Sequence, residues 1–128
     1  MSDDVPRLSD DERRQEENER QQELVNANVI HTLTALSMEV YENASQEGFH
    51  DNKREFGTCV ALAHSELSEA LEAHRHGCPD EEIAEELADT IIRVLDMAVE
   101  FDLDIAEALV GKMSINRHRE HMHDGKAY

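Results

Sequence analysis

Two pairs of carboxylates, Glu66-Leu-Ser-Glu69 and Glu86-Leu-Ala-Asp89, stand sixteen residues apart in this chain. Within each pair the acids are three residues apart, so on a helix they share a face, about 60° apart around the axis. Packed side by side, two such helices would point four carboxylates at one place. Anions crowded in this way need something positive among them. Oxygen-only ligands favour a hard divalent cation, Mg²⁺ or Mn²⁺, over zinc. Such spacing is also common on solvated helix faces, and only the elements that carry the pairs can decide between the two readings.

Those elements read as helices throughout. Glycine (five) and proline (two) are scarce, and strand-like alternation is absent. Ser9-Asp-Asp-Glu12 has capping-box spacing and predicts the start of a long first helix. Residues 12–23 are charged nearly all round and should project. Beyond them an amphipathic stripe runs through Val25, Val29, Leu33, Leu36 and Val40. Gly48 to Asn52 is the expected break. A second helix is predicted from about Arg54 to His76, with Val60, Ala63, Leu67, Ala70 and Leu71 facing inward. Gly77 should end it and Pro79 should open the next. The third helix, roughly Asp80 to Phe101, carries Ile83, Leu87, Ile91, Val94, Leu95 and Ala98 as its core stripe. Asp104-Ile-Ala-Glu107 predicts the start of a fourth, ending near His118. The expected product is an all-α bundle of four to five helices, with both acid pairs at the rim of its core.

The chain has 128 residues, enough for one core. We divide it into a charged N-terminal extension, 1–24, leading into the first helix, and a domain at 25–128. Two cysteines without a CxxC and an acidic N-terminus fit a cytoplasmic protein. No apolar run is long enough to span a membrane. A formal net charge of −18 argues against a nucleic-acid polymer as partner. The charge is uneven: residues 111–128 carry Lys112, Arg117, Arg119 and Lys126 against Glu120 and Asp124, a net +2, which leaves −20 on the rest. A basic tail on an acidic body suggests a local device for binding anions. The tail histidines His118, His121 and His123 have no cysteine partner for zinc. Glu120-His-Met-His123 is a single Glu-x-x-His where a di-iron bundle needs two.

The run from Ala63 to Arg75, followed by Glu86-Leu-Ala-Asp-Thr-Ile-Ile-Arg-Val-Leu-Asp96, resembles the small MazG-like nucleotide pyrophosphohydrolases, including phage-type members, of the all-α nucleoside triphosphate pyrophosphatase superfamily. The resemblance covers about residues 28–128. It includes Lys112, Asn116, Arg119, His123, Gly125 and Lys126 at the family's C-terminal spacings, and Glu47-Gly48-Phe49 at the break. The chain departs from the family pattern at Phe49 (tryptophan), Glu120 (proline) and Asp124 (glycine).

The resemblance implies that Glu66, Glu69, Glu86 and Asp89 bind two or three Mg²⁺ ions, with Mn²⁺ as a substitute. Glu66 or Glu69 would deprotonate the water that attacks the α-phosphorus. Lys112, Arg119 and Lys126 would hold the β- and γ-phosphates while Asn116 orients an oxygen. Phe49 would stack on the base, or simply close the break as a core residue. His64 would touch the ribose or base, or sit on the helix surface. The implied reaction converts a (d)NTP to a (d)NMP and pyrophosphate in nucleotide-pool control, in a homodimer or homotetramer. A purine such as dGTP is slightly favoured, with dUTP, dCTP or a damaged nucleotide as alternatives. Another class remains open: a non-catalytic helical protein that binds nucleotide or engages partners through the charged segment.

Overall fold

A computed structural model describes residues 5–119. Its elements are α1 (Asp10–Gln46), α2 (Phe56–Arg75), α3 (Asp80–Glu100) and α4 (Ile105–Arg117), with no strand among the described residues. The all-α bundle is therefore as expected. None of these helices is long and apolar enough to cross a membrane.

Helix starts and stops follow local chemistry. The Glu12 amide donates to Ser9 Oγ at 3.2 Å and the Ser9 amide donates to Glu12 Oε2 at 2.7 Å, so α1 opens on the predicted capping box. Residues 10–21 are exposed throughout, stitched by pairs such as Arg13–Asp10 and Gln15–Glu19. α1, α2 and α3 each end on a left-handed residue, Gly48 (φ 91°), Gly77 (φ 67°) and Asp102 (φ 53°). In each case the next amide bonds back five residues: Phe49 to Ala44, Cys78 to Ala73, Leu103 to Ala98. This is the Schellman ending, which satisfies carbonyls the helix leaves open. Asp104 caps α4 by accepting from the Glu107 amide at 3.1 Å.

α2 and α3 form an antiparallel hairpin, α1 crosses α3, and α4 packs on α1. The centre is built from small residues and a few larger ones: Ser37, Cys59, Ala70, Leu95, Asp96, Ala98 and Ala106 are buried. This corrects the expected stripes. On α1 the inward ridge runs through Val29, Ile30, Leu33, Ser37, Val40 and Tyr41, leaving Val25 and Leu36 exposed to one side. Ser37 survives at the centre because its hydroxyl donates to the Leu33 carbonyl at 2.7 Å. Leu67 and Leu71 of α2, and Leu87 and Ile91 of α3, are about half exposed rather than inward. Helix α2 also begins two residues later than predicted, because Arg54 is drawn into ion pairs with α3.

Candidate functional site

The hairpin explains how the two acid pairs meet. Glu66 lies eleven residues before Gly77, while Glu86 and Asp89 lie nine and twelve after it. Antiparallel packing of α2 on α3 therefore brings them level. One carboxylate oxygen from each of Glu66, Glu86 and Asp89 falls within 4.8 Å of the others. Glu66 and Glu86 are half-buried and Asp89 is exposed. Glu69 stands at the rim of this trio. Its carboxyl is pushed above the ordinary range, first by hydrogen bonding to Glu66 and then by the charges of Glu66 and Glu86.

One cation answers these four acids among the described residues. Arg93, one turn beyond Asp89 on α3, donates from Nε and Nη2 to the single oxygen Oε1 of Glu66 at 3.0 and 2.8 Å. A surplus of convergent carboxylates remains, with neither cysteine nor histidine in the trio. Such a donor set suits a hard divalent ion.

Beside the trio lies a cavity of about 420 Å³, between the end of α1, the break and the hairpin. Glu66, Asp89 and Arg93 line one part of it, and Asn43, Phe49 and Arg54 line others. Gly48 turns the chain so that the Phe49 amide bonds to the Ala44 carbonyl, and the Phe49 side chain, 49% exposed, becomes part of the wall. The volume lies in the range of small-molecule sites.

A second cluster at this cavity escaped the reading of the sequence. Arg54 Nε donates to Glu100 Oε1 and Oε2 at 3.2 and 3.1 Å, and Nη2 donates to Asp96 Oδ2 at 2.7 Å. His50 Nε2 lies 2.7 Å from Asp96 Oδ1 and Nδ1 lies 3.4 Å from Glu100 Oε1, with the Tyr41 ring stacked at 4.3 Å. The hydrogen bond from Arg54 holds the Glu100 carboxyl below the ordinary range, and Glu100 in turn raises the Arg54 pKa. His50, Asp96 and Glu100 could also group around a metal, but the guanidinium and imidazole already take up their oxygens. The available signal was Asp96 itself, a carboxylate between Leu95 and Ala98 at a buried position, which requires a cation.

The remaining expected residues lie elsewhere. Lys112 and Asn116 are exposed on α4 and Arg119 just beyond it, and none lines the cavity. His64 is exposed on α2 and borders a shallow groove with Leu67, Leu71 and Leu87 instead. Lys126 falls outside the described residues. No family model, curated protein or solved structure matches the chain.

Proposed function

We propose that this chain is a Mg²⁺-dependent nucleoside triphosphate pyrophosphohydrolase of the MazG-like type, converting a (d)NTP to a (d)NMP and pyrophosphate. The observation that carries the reading is the convergence of Glu66, Glu86 and Asp89 within 4.8 Å beside a cavity walled by an aromatic ring. Those three residues would hold the ion, with Glu69 at its edge. A bound Mg²⁺ would neutralise the acids and draw charge from the α-phosphate.

The chain's own groups divide the remaining work. Glu66 Oε1 is engaged by Arg93, whereas Glu69 has no ion-pair partner among the described residues. Its carboxylate at the edge of the trio is therefore placed to take a proton from the attacking water. The water oxygen bonds to the α-phosphorus, the bond to the bridging oxygen breaks, and pyrophosphate leaves with that oxygen. Phe49 offers a face for the base.

Lys112, Asn116 and Arg119 do not line the cavity of their own protomer. A second copy presenting α4 would bring them to the triphosphate, so the proposed enzyme is a homodimer or homotetramer.

Incubating the protein with a panel of dNTPs and Mg²⁺ tests the proposal. Pyrophosphate should be released, and Glu69→Gln should abolish the release. Orthophosphate as the only product, or no turnover of any nucleotide, overturns it.

A further inference from the structure

The cavity has two chemically different ends. Asp89 and Asp96 stand seven residues apart on α3, so about 10 Å of helix separates the acid trio from the Arg54 cluster. Asp89, Asp96 and Arg54 all line the one cavity. A nucleotide whose α-phosphate lies at the acid end and whose nucleoside fills the rest of this cavity would meet a guanidinium there.

That guanidinium is fixed. Glu100 and Asp96 take Nε and Nη2, while Nη1 makes no hydrogen bond to any described residue. No buried side-chain nitrogen or oxygen among the described residues lacks a partner. Nη1 therefore keeps some accessible surface, on a residue that borders the cavity. Clamped between two carboxylates, Arg54 is a donor of set direction, and it has no means of accepting. Asp96 cannot compensate, because Oδ1 faces His50 and Oδ2 faces Arg54.

We infer that Arg54 determines base specificity: Nη1 donates to an exocyclic carbonyl oxygen, so the site selects keto bases (guanine, hypoxanthine, uracil, thymine) over the amino bases adenine and cytosine. This rests on the hydrolase reading above and names its substrate class. An exocyclic amino group at the same point sets N–H against N–H and forfeits the hydrogen bond that a keto oxygen makes there. Stacking on Phe49 does not discriminate, since every base has a π-face. The donor at the far end does, because sites built to hydrogen-bond a substrate group reject analogues that cannot complete the bond.

The test is kcat/KM of the unmodified protein with Mg²⁺, for dITP against dATP and for dUTP against dCTP. Each pair exchanges the keto and amino groups on one ring. The keto member of each pair should be favoured by at least about tenfold, the size of one good base contact. A ratio near 1, or a preference for the amino member, in either pair overturns the inference and leaves the hydrolase standing. No pyrophosphate from any of the four, nor from dGTP or dTTP, overturns the hydrolase reading, and this inference falls with it. Arg54→Lys keeps a cation beside Asp96 and Glu100 but withdraws the Nη1 donor. Its dITP to dATP ratio should collapse toward 1 in protein shown by its melting curve to be folded, and an unchanged ratio there overturns the inference. Should that variant not fold, the substrate pairs still decide the matter.

Discussion

Arg93 of α3 holds Glu66 of α2 by a single carboxylate oxygen, with Nε at 3.0 Å and Nη2 at 2.8 Å from Oε1. The other oxygen, Oε2, is left without a guanidinium partner, and one oxygen of Glu66 lies within 4.8 Å of oxygens from Glu86 and Asp89. One arginine thus offsets part of the repulsion in the acid cluster while engaging a single oxygen of a single one of its acids.

Removing that guanidinium exposes the charge problem. Arg93→Gln should lower the melting temperature of the metal-free protein by roughly 3–10 °C, the effect of about 1–2 kcal/mol from a partly buried ion pair in a domain of this size. Added Mn²⁺ should then raise the melting temperature of the variant by more than it raises that of the unmodified protein. Differential scanning calorimetry with and without Mn²⁺ measures both. An equal metal response in the two proteins would mean that Arg93 does not share the cluster with the ion.

Glu69 should show opposite effects on stability and activity. Its carboxyl is raised by Glu66 and Glu86, so in the folded protein its ionised form is disfavoured. The sign follows: the contribution of Glu69 to stability is greatest below the ordinary glutamate range and declines as pH rises through the raised value. Glu69→Gln removes that repulsion, so its melting temperature at pH 7 should equal or exceed that of the unmodified protein. Pyrophosphate release should meanwhile fall at least about a hundredfold, the loss expected of a catalytic base. An active variant, or one that melts well below the parent, contradicts this assignment.

The Arg54 cluster predicts acid sensitivity. Glu100 is held below its ordinary range chiefly by the Arg54 hydrogen bond. Its contribution is therefore complete above the usual glutamate pKa of about 4.3 and is lost as pH falls through the depressed folded value. Urea unfolding at pH 7, 5, 4 and 3 should show a steep loss at the acid end. Glu100→Gln should cost about 2–4 kcal/mol at pH 7 by leaving the guanidinium half-answered, and should flatten the acid limb. A variant with the parental pH slope would place the acid sensitivity elsewhere.

The parts of this molecule written in neighbouring residues were legible. Ser9 with Glu12, Gly48, Gly77 and Asp104 act within one turn, and each marks a helix end where the sequence alone placed it. The meeting of Glu66 with Glu86 and Asp89 was legible too, because a short turn at Gly77 fixes the register of the hairpin. Arg54 with Asp96 and Glu100 follows from the same register, since Arg54 and Glu100 stand 23 residues on either side of Gly77, but it was missed because Arg54 read as an ordinary surface cation at the start of a helix. The choice of Ser37 over Leu36 for the centre of α1 depends on how closely the helices approach, which periodicity does not encode.

The exposed apolar residues yield the last prediction. Leu67, Leu71 and Leu87 line a shallow groove on the hairpin, and all three are about half exposed. Ile91, 57% exposed, lies one turn beyond Leu87 on α3, so the apolar surface runs past the groove itself and offers a face to a second copy. Sedimentation at tens of micromolar should show a dimer or tetramer. Leu71→Glu adds a charge where the single chain is already half solvated, so it should leave helix content unchanged and shift the protein toward monomer. If α4 of the second copy carries Lys112 and Arg119 to the phosphates, the same variant should raise KM for the triphosphate as it dissociates. Parent protein that sediments as a monomer throughout would remove the source proposed for those cations, and the triphosphate would have to be held by the cavity of one chain.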